Sequence, residues 1–281
     1  MTGREGFRVT APRSRVRAIL GCVMSKRRLD VLLLERGLVD SREKAQVAVM
    51  AGSVLVDDQR AVKPAGMVNE GARLRLVEGP RYASRGGDKL EHALDAFGID
   101  VVGTVAADIG ASTGGFTDCL LQRGAARVYA IDVGRGQLDL RLRQDPRVVV
   151  MEGVNARYLD SLPEPVDIVT ADVAFISLRH VLPAARRLLV LDTKARLKPG
   201  LQGKEECGRI VALFKPQFEA ARREVGKGGV IRDPQMHARL IGRFAVWCVK
   251  NGLRIRGPVA SPLLGPAGNR EFFFHLREAC R

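Results

Sequence analysis

VAADIGASTGGF, residues 105–116, decides how this chain is read. It opens as an apolar run, Val105–Ile109, interrupted only by Asp108. Such a run bounded by turn residues is the pattern of a buried strand. A glycine-rich turn, Gly110 to Gly115, follows, and a helical pattern runs from Phe116 towards Arg123, with Gly124 beyond it. The same alternation continues downstream. Arg127–Val133 is a second strand with Asp132 near its end. Val148–Met151 is a third, ending at Glu152, and Val166–Ala171 a fourth, ending at Asp172. Ile210–Phe214 is a fifth, ending at Lys215-Pro216; Leu253–Ile255 and Phe272–Leu276 are later candidates. Strand–helix alternation of this kind implies an α/β fold with a mostly parallel, doubly wound sheet.

In such sheets ligands bind outside the carboxyl ends of the strands. That rule brings Gly110–Gly115, Asp132, Glu152, Asp172 and Lys215 to one edge, across more than 100 residues of sequence. Asp132 follows Asp108 by 24 residues, the place for a carboxylate that accepts from a ribose diol. The loop lacks the second glycine of a nicotinamide fingerprint, and Phe116 follows where a P-loop needs Lys-Ser/Thr. A turn that needs close backbone approach without a pyrophosphate cradle suits S-adenosylmethionine. The expected cofactor set is Asp108, Gly110, Ser112, Gly114, Gly115, Asp132, Glu152 and Asn155. Lys215 follows five apolar residues and precedes a proline at the ligand-facing edge, where a lysine is useful to chemistry.

The chain has 281 residues, 46 Lys+Arg against 31 Asp+Glu, and a net charge of +15. Length alone gives about two domains at ~150 residues each. A hydrophobic fraction of 46% supports a substantial core and excludes a wholly disordered chain. The longest apolar run, Phe244 to Val249, is far short of the ~20 residues of a membrane span. The positive charge favours a polyanionic partner, through counterion release from phosphates. Five dispersed cysteines, none in CxxC spacing and none clustered with the four histidines, give no metal site or disulfide framework. Free thiols of this kind point to a reducing cytoplasm.

Residues 1–23 carry Arg4, Arg8, Arg13, Arg15 and Arg17 and are expected to form a disordered basic extension. Their apolar part, Ala18 to Met24, is too short and glycine-interrupted for an export signal. A small basic α+β domain is expected at 24–78. Leu29, Leu32 and Leu33 recur at helical spacing before Gly37; Ser41 caps a second helix with Ala45, Ala48 and Val49 inside; short strands follow at Val54 and at Arg73–Leu76. Lys26, Arg27, Arg28, Arg36, Arg42 and Lys44 lie outside the apolar stripes. Read as six cations on two adjacent helices, they make a phosphate-binding face.

This segment resembles the S4 RNA-binding domain, on Arg28-Leu29-Asp30 with VLL, Gly37-Leu-Val-Asp-Ser41-Arg42-Glu-Lys-Ala45, and Gly52-Ser-Val-Leu-Val56. The resemblance implies structured RNA as partner. The Arg-Leu-Asp triplet is also similar to that of pseudouridine synthases, a match taken as coincidental because Asp30 falls inside the first helix. The rest of the chain, expected to begin at 84 after a linker at 79–83, resembles the FtsJ-like 2′-O-ribose methyltransferases. The whole from Met24 resembles the TlyA family. The motifs are Tyr82 with SRGGDKL (Ser84–Leu90), DIGASTGGFTDCLLQRGA (Asp108–Ala125), YAIDVGRGQL (Tyr129–Leu138), TADVAFISL (Thr170–Leu178), KPQFE (Lys215–Glu219), EVGKGGVIRDP (Glu224–Pro234) and GPAGNREFFFHL (Gly265–Leu276). What the resemblance implies is a Rossmann-like, S-adenosylmethionine-dependent rRNA (cytidine-2′-O)-methyltransferase that needs no metal. Lys89, Asp172, Lys215 and Glu271 would be its catalytic set: Lys215 nearest the attacking oxygen, Asp172 orienting Lys215, Lys89 and Glu271 holding the ribose. Ribosomal RNA or ribosomal subunits would be its partner, with no membrane and no obligate protein partner. Two other classes stand against it: a ribosome-associated RNA-binding protein without catalysis, expected to lack one of the four residues, and a membrane-active haemolysin, expected to carry an insertion segment. Residues 1–23 and a near-neutral loop insertion at Asp192–Gly208 depart from the family pattern.

Overall fold

The computed structural model describes residues 25–50, 52–61, 63–77, 81–189 and 208–278. The basic extension at 1–23 and residues 192–207 of the expected insertion lie outside them. The chain divides into two units, Met1–Gly79 and Pro80–Arg281.

The first unit contains β1 (Lys26–Arg28), α1 (Leu29–Glu35), α2 (Arg42–Met50), β2 (Val54–Val56), β3 (Gln59–Arg60), β4 (Met67–Asn69) and β5 (Leu74–Leu76). β1 pairs antiparallel with β4, and β3-β2-β5 form a small sheet. Leu29, Leu32, Leu33, Ala45, Val49, Val54 and Leu74 make the core, the stripes that helical spacing selects. Gly37, at φ 66°, ends the first helix in the left-handed conformation that glycine adopts without strain. β1, β3 and β4 were not legible, because KRR, QR and MVN carry no apolar–polar alternation. Consequently Lys26, Arg27 and Arg28 stand on a strand rather than a helix, and Arg36 on the C-cap of α1; only Arg42 and Lys44 lie on α2.

In the second unit seven strands form one sheet: β6 (Val105–Ile109), β7 (Arg127–Asp132), β8 (Val148–Glu152), β9 (Ile168–Ala171), β10 (Arg209–Phe214), β11 (Leu253–Ala260) and β12 (Phe272–Glu278), in the order β11-β12-β10-β9-β6-β7-β8. The five from β10 to β8 are parallel, and β12 and β11 add antiparallel at one edge. Helices α3 (Gly86–Phe97), α4 (Gly115–Gln122), α5 (Leu140–Gln144), α6 (Leu182–Leu188), α7 (Pro216–Glu219) and α8 (Pro234–Lys250) connect or cover them. β10 shows why both faces are needed. Ile210, Ala212 and Phe214 enter the core with Phe244 and Phe274, while Val211 and Leu213 enter the opposite core with Leu90, Leu120 and Phe273. A strand buried on both faces reads as a continuous apolar run.

β6 is flanked by β7 on one side and β9 on the other, so the winding reverses at its carboxyl end. A crevice opens at such a reversal. The antiparallel β12 begins where β10 ends, with Phe272 opposite Phe214, and Glu271 therefore arrives at the same end of the sheet as Lys215.

The described part of the expected linker belongs to this second unit. Tyr82 is 1% exposed within its core, and the Ala83 amide donates to the Asp118 carboxylate on α4 at 2.8 Å. Gly87 has no room for a side chain: a Cβ there would lie 2.1 Å from the Tyr82 ring. A lone tyrosine between Arg81 and Ala83 gives no periodic pattern from which this burial could be read.

Candidate active site

The loop Gly110–Gly115 rounds the carboxyl end of β6 under tight constraint. Gly110 sits at φ 85°, and a Cβ there would lie 2.4 Å from the Asp172 carbonyl oxygen. That close approach brings the end of β9 beside the loop, fixed also by the Asp172 amide donating to the Ile109 carbonyl at 2.9 Å. Gly114, at φ 96°, packs on Leu142 and Leu138 from below.

Above the loop is a cavity of about 220 Å³. Its walls carry all four residues expected to be catalytic, Lys89, Asp172, Lys215 and Glu271, together with Gly110, Ser112 and Gly115. The four form two ion pairs. Lys89 Nζ donates to Glu271 Oε2 at 2.6 Å, and these side chains are 9% and 1% exposed. Lys215 Nζ lies 2.6 Å from Asp172 Oδ1, charge against charge without the alignment of a hydrogen bond, at 13% and 24% exposure. Both pairs border the cavity; the first is almost wholly buried, the second more open. Sequence reading gave the Lys215–Asp172 partnership but not the other, whose members stand 182 residues apart.

The remaining cofactor candidates divide. Asp132 accepts from the Ser112 amide at 2.8 Å and the Gly134 amide at 2.7 Å, which ties the end of β7 to the glycine loop. Glu152 accepts from the Gln137 amide at 3.2 Å and from Arg143 at 2.5 Å. Backbone amides and Arg143 hold its carboxyl down at about 2, so it is an anion at neutral pH. Ser112 Oγ and Gln137 Oε1 are 3.3 Å apart, so these groups form one hydrogen-bonded rim beside the cavity, which it meets at Ser112; Asp132 and Glu152 are not among the cavity's lining residues. Asp108 and Asn155 do not join it. Asp108 is 0% exposed, accepting from Thr117 at 2.7 Å and Thr170 at 3.0 Å, and clamps β6 to α4 and β9. Burial pushes its carboxyl up to about 7, against the two threonine bonds that favour the anion. Asn155 accepts from the Arg157 amide at 3.1 Å and caps a turn. A strand-end carboxylate and a cap look alike in sequence to ligand-binding groups; burial sets Asp108 apart, and the bond to its own turn sets the exposed Asn155 apart.

Sequence reasoning missed Arg85 and Pro266 in the cavity wall, and Phe175 near it. Phe175 is 91% exposed at φ 63°, with its ring centroid 5.3 Å from that of Phe218, over whose ring Lys215 Nζ stands at 5.9 Å. An exposed non-glycine residue in the left-handed region is costly and needs a reason.

In the first unit, five of the six expected RNA-binding cations have partners within the fold. Arg28 and Arg42 bond Asp30, which is 0% exposed and which the Arg28 bond above all holds well below the ordinary carboxylate range. Arg27 pairs with Glu70 and Glu35, Lys44 with Asp40, and Arg36 donates to the Ala72 and Glu70 carbonyls. Asp30 is thus a buried anchor. Arg28 and Arg42 support it and are not a free phosphate face, because releasing them strands a buried charge. The exposed pairs of Arg27 and Lys44 are worth little and exchange readily for phosphate.

Among the described residues no cluster of three or more His, Cys, Asp or Glu could hold a metal, and no helix is long and apolar enough to cross a membrane.

The family model for FtsJ-like methyltransferases matches residues 82–278, and that for the S4 domain residues 27–74. The 16S/23S rRNA (cytidine-2′-O)-methyltransferase TlyA of Mycobacterium tuberculosis is 46% identical over 254 residues, 89% of each chain. Hemolysin A of Brachyspira hyodysenteriae is 37% identical over 255 residues, 89% of this chain and 99% of that one. A solved structure from Streptococcus thermophilus, named as a candidate hemolysin, is 41% identical with a TM-score of 0.66, over 91% of this chain and 89% of that one. With the motifs in order, both family models matched, and two ion pairs above the glycine loop, the chain belongs to the FtsJ-like methyltransferases and, among them, to the S4-bearing TlyA family.

Proposed function

We propose that the chain is an S-adenosylmethionine-dependent methyltransferase that acts on the 2′-hydroxyl of cytidine in ribosomal RNA, within the cytoplasm. The observation that carries this reading is the convergence of Lys89, Asp172, Lys215 and Glu271 on one cavity whose floor is the glycine loop. The residues fit the cofactor. The loop backbone is bare where Gly110 and Gly115 line the cavity, and Asp132 presents a carboxylate at the next strand end for the ribose diol. When bound, S-adenosylmethionine supplies a methyl group already activated by its sulfonium charge.

What the chain must add is alignment and help with one proton. Lys215 is the lysine of the more open pair, and the target hydroxyl is placed at its Nζ. As the neutral amine Lys215 takes up the hydroxyl proton and becomes the ammonium; already an ammonium, it instead stabilises the developing alkoxide as a cation. Asp172, 2.6 Å away, keeps the Lys215 chain pointed into the cavity and adds negative charge beside the site. Lys89 and Glu271 hold each other and form another part of the wall, where they would bound the ribose. Phe175 offers an exposed ring face, the kind of surface on which an unstacked base rests.

Single-turnover methyl transfer from labelled S-adenosylmethionine to purified small and large ribosomal subunits tests the reading. Lys215→Ala should fold, bind cofactor and bind RNA, yet react at least ~100-fold more slowly, the usual size of a base or electrostatic contribution. A near-normal rate in that variant would remove the four residues as the active site.

A further inference from the structure

Two loops carry the open pair. One leaves β9 with Asp172, Phe175, Ser177 and Leu178. The other leaves β10 with Lys215 and forms the single turn of α7, with Phe218 and Glu219. They touch at three successive places. Lys215 meets Asp172 at 2.6 Å, Phe218 meets Phe175 with ring centroids 5.3 Å apart, and Glu219 takes both Ser177 Oγ–H at 2.6 Å and the Leu178 amide at 2.7 Å. The spacing explains the alignment. Residues three and four apart lie on one side of a helical turn, so Lys215, Phe218 and Glu219 all face the β9 loop.

The three contacts are unequal. The first two are partly open: Asp172 is 24% exposed on its side chain, and Phe175 is 91% exposed. The Glu219 side chain is 2% exposed, and burial raises its carboxyl above the usual range despite both donors. Arg179 approaches only to 3.8 Å. A buried carboxylate with two short donors is geometrically determined in a way that an exposed contact is not. A four-residue helix has no stability of its own. Pro216 at its start and Glu219 at its end are what set its direction, and its N-cap is Lys215.

We propose that Glu219 is a positioning residue for methyl transfer: by fixing Ser177 and Leu178 it locks the two loops in register and so sets Lys215 against Asp172 in the cavity. The proposal rests on the assignment of Lys215 above. Glu219 does not reach the cavity and touches no reacting atom.

The test is single-turnover transfer to purified ribosomal subunits at saturating S-adenosylmethionine, with the full chain, in a double-mutant design. Glu219→Ala should slow the chemical step roughly 10- to 100-fold, the range for a misplaced reacting group. Cofactor affinity by calorimetry should stay within about 2-fold, since a positioning loss falls on the chemical step and not on binding. Glu219→Gln, which keeps the shape and one acceptor oxygen, should recover part of the rate. In a Lys215→Ala background, Glu219→Ala should add almost nothing, because there is no longer a lysine to place. A merely structural glutamate would slow both backgrounds by the same factor, and that result overturns the proposal. If Glu219→Ala does not fold, Ser177→Ala removes the 2.6 Å bond alone and must show the same non-additivity; additivity there overturns it equally. A slow Lys215→Ala beside a normal Glu219→Ala rejects only the positioning role. A normal Lys215→Ala rejects both this proposal and the active-site reading.

Discussion

Lys89→Met should destabilise the methyltransferase unit far more than Lys215→Met, although both remove a lysine 2.6 Å from a carboxylate. The difference is the carboxylate left behind. Glu271 is 1% exposed on its side chain and packs against Gly265, where a Cβ would lie 2.5 Å from Glu271 Oε1. Glu271 borders the cavity but exposes almost none of its side chain, so hydration reaches it poorly and the variant holds a weakly compensated buried charge, at a cost of up to ~3–5 kcal/mol. Asp172 is 24% exposed and can be hydrated, which places its loss nearer the ~1 kcal/mol of an open pair. The chain has one tryptophan, Trp247 on α8, stacked on Phe244 with centroids 6.3 Å apart. Its fluorescence reports unfolding of this unit alone. With a urea dependence of ~2 kcal/mol per molar, Lys89→Met should lower the midpoint by roughly 1.5–2.5 M. Adding Glu271→Leu to Lys89→Met should recover at least ~2 kcal/mol, because an apolar pair of similar volume replaces a buried ion pair at little cost. A loss below ~1 kcal/mol in Lys89→Met, or a double variant no more stable than the single, would refute the reasoning. The consequence for kinetics is direct. Slow turnover after a change at Lys89 mixes lost chemistry with lost structure, and Lys215 is the cleaner probe.

Asp132→Ala should weaken S-adenosylmethionine binding by ~1.5–3 kcal/mol by calorimetry, since a charge-assisted bond is lost; unchanged affinity in a folded variant would reject Asp132 as the ribose acceptor. Asp108, raised by burial from an ordinary 3.8 to about 7, keeps in the folded state a proton that the unfolded chain has released between those values. Its contribution to stability therefore falls as pH rises through that window, by at most about 4 kcal/mol, and is lowest above pH 7. Asp108→Asn should remove this slope, so wild-type and variant melting temperatures should converge or cross between pH 5 and 8; parallel curves would show that the carboxyl is not raised. Arg28→Ala strips two bonds, at 2.8 and 3.0 Å, from buried Asp30. It should lower the stability of the first unit by ~1.5–3 kcal/mol, read as faster amide exchange across Leu29–Glu35. Unchanged exchange would return Arg28 to the phosphate-binding face.

The strands from β6 to β10 were legible because the sheet is buried on both faces, and continuous apolar runs ending in charged residues mark where each strand leaves the core. Short elements were not. β3 is two residues long and depends on Asp57 and Asp58, at φ 47° and 66°, to turn the chain back onto β2. That turn is written in the Asp-Asp pair rather than in any periodicity. The mixed character of the sheet was also hidden. Phe272–Leu276 reads as one more strand, and only its pairing reverses it. That reversal brings Glu271 to the carboxyl end of β10, beside Lys215; a parallel β12 would have carried it to the far end.

The candidate site was legible to the extent that topology dictates position, and no further. Strand ends gave Asp132, Asp172 and Lys215, and the glycine loop gave the floor between them. Burial decided the rest. Asp108 and Asp132 both end strands beside the same loop, yet one is closed under two threonines and the other faces the rim. Lys89 and Lys215 both border one cavity, yet one is almost wholly buried in its pair and the other more open. The basic helices show the same limit from the other side. Counting Lys26, Arg27, Arg28, Arg36, Arg42 and Lys44 as one face neglected Glu35, Asp40, Glu70 and Asp30, whose carboxylates the fold brings against four of them, and the main-chain carbonyls that Arg36 bonds. A charge is available to a phosphate only if releasing its internal partner costs less than the phosphate returns. Exposure of that partner decides the cost: near zero for Asp40, 85% exposed, and several kcal/mol for Asp30, fully buried. Of the paired cations, Lys44 and Arg27 are thus the ones whose partners a phosphate would displace at least cost, while Arg28 and Arg42 stay committed to Asp30.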